Sequence, residues 1–190
     1  LDKLDNTLKP EGRYVVKVDQ GIKKRFKQGL VKLDLSGGQV LDALRQLRSK
    51  GYRYLVIEEL VLHERKDEKY LALERTREGI LIYYSKKGGI DIEEFENEVQ
   101  KVLYKDPEDA EKIALELGVD PNFLKKLIEA FDIYYFSFLE INPLLVSFKK
   151  PYMLDIAAEV DSAAEFFVDD WKSSDFRSSR PGQLTEEEKN

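Results

Sequence analysis

A lysine in the middle of an apolar, β-branched segment is the first candidate for chemistry. Residues 14–18 read Tyr-Val-Val-Lys-Val, which is typical of a buried β-strand, and the lysine is Lys17. Burying an ammonium group without a partner costs several kcal/mol, so a lysine at such a position requires an anion. The alternative is that Lys17 lies on the solvent face of an edge strand, and the segment alone supports both interpretations.

A loop rich in glycine and lysine follows this segment. Residues 20–29 read Gln-Gly-Ile-Lys-Lys-Arg-Phe-Lys-Gln-Gly, so that cations lie between two glycines. Glycines permit backbone conformations that direct N–H groups at an anion, and the cations would neutralise its charge. The stretch matches neither a P-loop nor a dinucleotide-binding fingerprint. It therefore predicts either a phosphate-binding loop or a solvated basic turn.

Oxygen-bearing side chains towards the end of the chain form a third candidate, a magnesium site. Asn142 lies in the segment Glu-Ile-Asn-Pro-Leu at residues 140–144, and Asp155 lies in the segment 152–156. Strands joined by a short turn would bring this carboxamide and this carboxylate together. Mg²⁺ prefers hard oxygen ligands and is usually held by very few carboxylates together with substrate phosphates. The alternative is that both residues only cap turns.

Composition narrows the classes of function. The 190 residues carry 31 basic and 37 acidic side chains, and 42% of them are hydrophobic, which indicates a globular domain without a clustered basic face. A nucleic-acid-binding module is therefore not expected. Cysteine is absent, which excludes disulfides and thiolate chemistry and suits a reducing compartment such as the cytoplasm. The most apolar window, residues 131–146, contains Asp132, Glu140 and Asn142, so no membrane-spanning helix is expected.

The order of predicted elements indicates an α+β fold with two lobes. Strands over residues 14–18, 30–35 and 54–59, with a helix that begins after Ser36 and ends at Gly51, make a small β-β-α-β lobe over residues 13–61. Residues 1–12 are an N-terminal extension. A nucleotide between two lobes would lie where pockets tend to form.

The larger lobe is predicted over residues 62–170. A hairpin joins strands at residues 69–75 and 79–85, and helical spacing follows over residues 92–104, 106–117 and 121–133. Two further strands, near residue 139 and over 152–157, precede a helix that begins at Asp161. The chain begins without Met, and residues 171–190 are polar, so we expect a piece cut from a longer protein with a linker or disordered tail.

These motifs, taken in order, resemble the ATP-grasp domain of the ATP-citrate lyase and succinyl-CoA synthetase β-subunit family. Residues 140–144 with Asp155 resemble its magnesium-binding end, and residues 85–93, Ser-Lys-Lys-Gly-Gly-Ile-Asp-Ile-Glu, resemble its Gly-Gly segment. Residues 16–31 and 154–161 are similar to the ATP-citrate lyase branch, whereas the succinyl enzymes have a loop richer in glycine. The resemblance covers residues 13 to about 168 and implies an ATP-grasp fold, which lacks here the N-terminal part of its larger lobe.

The resemblance implies a role for particular residues in binding ATP and Mg²⁺. The cations of the first strand and loop would contact the phosphates, a hinge at residues 58–61 would read the adenine edge through its backbone, and a glutamate would take a ribose hydroxyl. The nucleotide-binding residues are then Lys17, Lys24, Arg25, Glu58, Glu59, Val61 and Glu68, and the magnesium ligands are Asn142 and Asp155.

Three positions depart from the family pattern. Phe26 replaces a glycine of the phosphate loop, Lys87 stands before the Gly-Gly pair where relatives carry an acid, and Glu159 stands where the citrate branch has a lysine. These changes would retune nucleotide binding or weaken catalysis. The chain's single histidine, His63, follows the hinge and is expected to be structural.

The resemblance implies part of an enzyme that makes citryl-CoA from citrate and CoA. In this family the phosphoryl group passes to a histidine on an alpha-type subunit or a later domain, so this chain would carry no catalytic residue and be inactive alone. Most of the CoA and citrate sites would lie on missing segments. The alternatives are a ligase for succinate of the succinyl-CoA synthetase type, and a non-catalytic interaction domain that keeps the fold.

Overall fold

The chain folds into two compact units, with the boundary between Leu62 and His63. The computed structural model describes residues 8–9, 11–22, 24–89, 97–147, 150–169 and 171. None of the helices within these ranges is long and apolar enough to cross a membrane.

The first unit is a three-stranded antiparallel sheet with one helix packed on it. Its elements are β1 (Tyr14–Val18), β2 (Val31–Leu35), α1 (Gly37–Ser49) and β3 (Leu55–Glu59), and the strand order is β2-β1-β3. The predicted β-β-α-β order is thus confirmed. Because β1 is the central strand, the interpretation of Lys17 as a residue of an edge strand is wrong.

Helix α1 begins and packs as its sequence predicts. The Gln39 side-chain oxygen accepts a hydrogen bond from the Ser36 backbone N–H at 2.8 Å, which satisfies a donor at the start of the helix. The apolar face of the helix packs against the core side of β1. The buried residues of this cluster are Tyr14, Val16, Val18, Leu30, Val40, Ala43, Leu44 and Leu47, with Leu41 partly buried at its margin. Burial of each large aliphatic side chain contributes about 1.5–3 kcal/mol, so this face holds the helix on the sheet.

The second unit is a larger antiparallel sheet with two helices on one face. Its strands are β4 (Glu68–Thr76), β5 (Gly79–Ser85), β6 (Gln100–Leu103), β7 (Phe136–Ser147), β8 (Lys150–Met153) and β9 (Ile156–Val160). The strand order is β6-β5-β4-β7-β8, and β9 also pairs with β7. The helices are α2 (Pro107–Leu117) and α3 (Pro121–Ile133).

The predicted hairpin and these two helices are confirmed. Thr76 pairs with Gly79 across the turn between β4 and β5. The Asp106 carboxylate caps α2 by accepting from the backbone N–H groups of Glu108 and Asp109, and Asp120 caps α3 in the same way. The core lies between the helices and one face of the sheet, and its fully buried large side chains include Leu71, Leu73, Ile82, Ile113, Leu117, Leu124, Phe131 and Ile141.

The helix predicted over residues 92–104 is wrong in its second half. Residues 100–103 form β6, which pairs with β5 in the register Leu81 to Leu103, and Val102 packs against the core. Pairing with a strand distant in sequence has overridden a local spacing that fits a helix. Residues 90–96 lie outside the described residues.

Two predictions at the end of the chain also need correction. The segment predicted as one strand over residues 152–157 is two strands, β8 and β9, that both pair with β7. The helix predicted from Asp161 is a short 3₁₀ helix, Ser162–Phe167, whose first turn is capped by the Asp161 carboxylate. Ala164 is buried, but the helix's phenylalanines, Phe166 and Phe167, are exposed, so little apolar surface is packed to sustain a longer helix.

Candidate functional site

Lys17 lies on the face of the first sheet that points away from α1. Its neighbours in β1, Val16 and Val18, pack in the core with the helix, so alternation places the lysine on the opposite side. The Lys17 side chain is 14% exposed, and its ammonium lies 2.5 Å from a carboxylate oxygen of Glu58. The anion that the sequence required is therefore supplied by β3. Because an ammonium carries three N–H donors, this ion pair is compatible with an additional phosphate contact.

The basic loop is folded back onto the strand it follows. The Arg25 guanidinium donates a hydrogen bond of 2.8 Å to the Val18 carbonyl at the end of β1. Backbone hydrogen bonds close the turn, from Gln28 to Lys24 at 3.3 Å and from Gly29 to Phe26 at 3.0 Å. The structure thus brings Arg25 to the end of the strand that carries Lys17. Lys23 lies outside the described residues.

Phe26, where the family resemblance implies a glycine, does not adopt the left-handed backbone conformation that favours glycine. Left-handed φ angles in this loop occur at Lys24, with φ of 57°, and at Gly29, with φ of 68°, and not at Phe26. The Phe26 side chain is 66% exposed, so it contributes little to the core. A phenylalanine at this position therefore affects the loop surface rather than the backbone path.

The predicted hinge borders a cavity within the first unit. Glu59 forms an ion pair of 2.5 Å with Lys9, and the Leu60 N–H donates to the Arg13 carbonyl at 2.7 Å. The cavity has a volume of about 350 Å³, and its lining residues are Lys9, Glu11, Gly12, Arg13, Glu59, Leu60 and Leu62. Glu58 and Glu59 end β3, and Val61 follows it. The hinge segment is thus held to Lys9 and Arg13, which precede β1, by one ion pair and one backbone hydrogen bond.

In the second unit, Glu68 lies between His63 and the Gly-Gly segment. His63 Nε2 is 3.0 Å from Glu68 Oε1, and the two side chains are 21% and 16% exposed. The other carboxylate oxygen lies so close to Gly89 that a Cβ on this glycine would overlap it. The predicted ribose-binding carboxylate is therefore confined on both sides.

The two predicted magnesium ligands are neighbours. The Asn142 N–H in β7 donates to the Asp155 carbonyl at 3.0 Å, and the Leu154 N–H donates to the Pro143 carbonyl at 3.1 Å. The Asn142–Pro143 peptide bond is cis. The Asn142 carboxamide oxygen accepts a hydrogen bond of 2.6 Å from the Gly89 N–H. Asn142 and Asp155 thus lie side by side on paired segments, as the sequence predicted.

The residues present suit Mg²⁺. A carboxamide oxygen has two lone pairs, so the bond from Gly89 leaves the Asn142 oxygen able to coordinate an ion as well. Within the described ranges, no group of three or more His, Cys, Asp or Glu side chains could hold a metal ion. An ion that takes few protein ligands and completes its shell with water and phosphate fits this donor set better than zinc or calcium would.

The Gly-Gly segment contacts the candidate site residues, a role that sequence reasoning did not give it. A Cβ on Gly88 would overlap the backbone of Lys69, and Gly89 has a φ of 87°, a conformation that side chains rarely adopt. Through these glycines the end of β5 touches both Glu68 and Asn142. Two consecutive glycines at the end of a predicted strand were the available signal for such close backbone approach.

Lys69 fixes the start of β4 to helix α2. Its ammonium donates a hydrogen bond to the carbonyl of Leu117 at the C-terminus of the helix, where the helix dipole favours a cation. Burial lowers the pKa of Lys69 from its ordinary value, and the nearby charge of Lys86 lowers it further. The residue next to Glu68 is therefore anchored to the end of α2.

Polar side chains occupy the face of the second sheet that alternates away from the core. Burial raises the pKa of Tyr70 above its ordinary range, and the carboxylate of Glu140, which accepts a hydrogen bond from it, raises it further. The Tyr83 hydroxyl donates to Glu74 at 2.5 Å, and this bond is the main reason that the pKa of Tyr83 is raised to about 12. Sequence reasoning did not select these residues, because a single tyrosine in a strand is not a signal for a site.

The other two departures from the family pattern lie at the edges of this region. Lys87 forms an ion pair of 2.7 Å with Glu98. Glu159 is exposed on β9, opposite Phe138 of β7. Neither residue disturbs the contact between Asn142 and Asp155.

Comparison with known proteins identifies the family. A family model described as the ATP-citrate synthase ATP-grasp domain matches residues 3–171. Human ATP-citrate synthase is 33% identical over 172 residues, which cover 80% of this chain and 16% of the human protein. Probable ATP-citrate synthase subunit 2 of Schizosaccharomyces pombe is 29% identical over 182 residues, with coverage of 82% and 37%. The chain therefore spans a minor part of the length of these relatives.

Solved structures share the fold. ATP citrate lyase from Methanothrix soehngenii, solved with citrate and coenzyme A, aligns with a TM-score of 0.67 and 24% identity over 83% of this chain and 41% of that chain. Acetyl-coenzyme A synthetase 1 of Ca. Korarchaeum cryptofilum, solved with coenzyme A and Mg-AMPPCP, aligns with a TM-score of 0.62 and 21% identity over 85% and 83%. These alignments confirm the predicted two-lobed α+β ATP-grasp fold. Because the family model covers nearly the whole sequence, the predicted family is also confirmed, and this chain belongs to the ATP-citrate synthase ATP-grasp domain family.

Proposed function

We propose that this chain binds Mg-ATP and supplies the phosphoryl group for citryl-CoA formation from citrate and CoA in an enzyme of the ATP-citrate synthase type. The observation that carries the proposal is the contact between Asn142 and Asp155, which are neighbours on paired segments of the second unit. A carboxamide and a carboxylate in this arrangement suit an ion that also binds phosphate oxygens.

The other residues in this proposal would hold the nucleotide in place and neutralise its charge. Phosphoryl transfer depends on alignment and charge neutralisation more than on covalent chemistry from the protein, and bound magnesium would supply part of that neutralisation. Lys17, Lys24 and Arg25 would bind the phosphates, and the backbone of the hinge at Glu58, Glu59 and Val61 would read the adenine. Glu68 would accept from the ribose hydroxyls.

The rest of the reaction belongs to other parts of the assembly in this proposal. The histidine that receives the phosphoryl group, and most of the citrate and CoA sites, would be supplied by an alpha-type subunit or domain. The chain alone would then bind nucleotide without turnover. A cytoplasmic location is part of the same proposal and rests on the cysteine-free composition.

Thermal unfolding in the presence of ligand tests the proposal. A ligand at about 100 times its Kd stabilises the folded state by about 2.7 kcal/mol, which corresponds to a rise in Tm of roughly 5 °C or more for a chain of this size. Mg-ATP should produce this rise, and ATP with EDTA should produce much less. Asp155→Ala should abolish most of the effect, whereas Asp169→Ala, at an exposed position outside the site, should retain it. An unchanged Tm in saturating Mg-ATP would contradict the proposal.

A non-catalytic interaction domain is the second candidate, and the exposed Phe26 in the phosphate loop is the observation that favours it. Calorimetric titration separates the two, because a domain that has lost nucleotide binding should give no magnesium-dependent heat with ATP. If ATP binds, turnover of citrate and of succinate after reconstitution with an alpha-type subunit decides which acid is the substrate.

A further inference from the structure

The histidine beside the predicted ribose site has a defined contact. His63 Nε2 lies 3.0 Å from Glu68 Oε1, and both side chains are mostly buried. Since an ionised carboxylate only accepts hydrogen bonds, the Nε2 atom must carry the hydrogen in this contact. His63 therefore donates to Glu68, and the direction of the bond follows from the chemistry of the acceptor.

The same carboxylate is restrained from the opposite side. Its second oxygen lies against Gly89, where a Cβ would overlap it. The Gly89 N–H is in turn bonded to the Asn142 carboxamide at 2.6 Å. The Glu68 carboxylate is thus held between the imidazole and a peptide that reaches the metal ligands. A carboxylate has about four lone-pair sites, so these contacts leave it able to accept from hydroxyl groups.

His63 also lies next to the hinge in the sequence. It lies two positions after residues 58–61, for which the proposed role is to read adenine, and Glu68 lies five positions further along the chain. A side chain that is close to the hinge in sequence thus contacts the proposed ribose acceptor.

We propose that His63 is a positioning residue that orients the Glu68 carboxylate towards the ribose hydroxyls of the bound nucleotide. This inference rests on the proposed function and deepens it, because it assigns the discrimination of ribose from deoxyribose to a pair of residues. Loss of a hydrogen bond to a charged group changes affinity by about tenfold or more. Removal of His63 should therefore lower the affinity for ATP and leave the affinity for nucleotides that lack the relevant ribose hydroxyl unchanged.

The test is the ratio of affinities for Mg-ATP and for its 2′-deoxy and 3′-deoxy analogues, measured by calorimetry on the full 190-residue chain. The unmodified chain should prefer ATP over at least one analogue by about tenfold. His63→Ala and His63→Leu should lose this preference while they still bind the analogue as before. His63→Gln, which keeps an N–H donor, should restore part of it. Lys66→Ala, at an exposed neighbour, is the matched control and should leave the ratio unchanged.

A double variant distinguishes positioning from a general effect on the fold. In a chain that carries Glu68→Ala, the further change His63→Ala should not alter the ratio, since the carboxylate that it orients is gone. If the chain binds ATP but His63→Ala and His63→Leu keep the full preference for ribose, the inference is wrong and the proposed function stands. If the unmodified chain binds none of these nucleotides, both the proposed function and this inference are wrong.

Discussion

Without a ligand, the buried ammonium of Lys17 in the first sheet is neutralised by Glu58. The lysine is in the central strand and its ammonium is 2.5 Å from the carboxylate. Glu58 is 44% exposed, so water can solvate it when the lysine is removed. Removal of the lysine should therefore affect a bound anion more than it affects the fold.

Lys17→Met is the corresponding prediction. The loss of one charged hydrogen-bond donor to a phosphate should weaken Mg-ATP binding by roughly 10- to 100-fold. The free energy of unfolding without ligand should fall by less than about 1 kcal/mol. Calorimetry and urea unfolding measure the two quantities, and Lys50→Met, at an exposed position in the same unit, is the control. Equal affinity in both variants would remove Lys17 from the site.

The hydrogen bond from Tyr83 to Glu74 should make the free energy of unfolding fall at alkaline pH. The pKa of Tyr83 is raised from 10.0 to about 12. A group whose pKa is higher in the folded state contributes stability that is complete below the unfolded value and is lost as pH rises through the folded value. The contribution of Tyr83 should therefore be present up to pH 10 and disappear towards pH 12.

Urea unfolding between these pH values measures the effect. Tyr83→Phe should lower stability at neutral pH and should lose less further stability at alkaline pH than the unmodified chain. Tyr152→Phe, at an exposed tyrosine, is the control and should retain the full alkaline loss. A Tyr83→Phe variant with the same alkaline slope as the unmodified chain would show that the hydrogen bond does not shift this pKa.

Helix α2 offers a matched pair of leucines for a prediction about packing. Leu117 is 0% exposed and lies in the core, whereas Leu115 of the same helix is 81% exposed. Leu117→Ala should lower the free energy of unfolding by about 2–5 kcal/mol, because it removes buried apolar surface and leaves a cavity. Leu115→Ala should change it by no more than about 0.5 kcal/mol. Urea titration followed by far-UV circular dichroism measures both, and similar losses would contradict the assigned packing.

Elements that are specified locally were predicted from the sequence with accurate bounds. The predicted strand at residues 14–18 is β1, and the helix predicted over residues 121–133 is α3, which starts at a proline after an Asp cap. Both depend on patterns within a few residues. Strand β6 was missed because it exists through its pairing with β5, and nothing in residues 100–103 alone favours a strand.

At the scale of the whole molecule, one contact of the candidate site was predicted. The sequence predicted that Asn142 and Asp155 would be adjacent, because each lies on a segment joined to the other by a short connection. The contacts of Gly89 with Asn142 and of Lys69 with Leu117 join residues 53 and 48 positions apart. Such contacts depend on how the sheet and helices pack, which no local pattern encodes. Lys17 belongs to the other unit, and its convergence with the predicted metal ligands on one triphosphate stays a prediction.

The peptide at Gly89 lies against Glu68 on one side and donates its N–H to Asn142 on the other. Under the proposed function, the residue that accepts from the sugar and a residue that holds the divalent ion would both contact this one glycine. By thermodynamic linkage, any improvement that the ion makes in nucleoside affinity is matched by an equal improvement that the nucleoside makes in ion affinity. Any coupling between the ribose and the ion would then run through Gly89 and could be measured from either ligand.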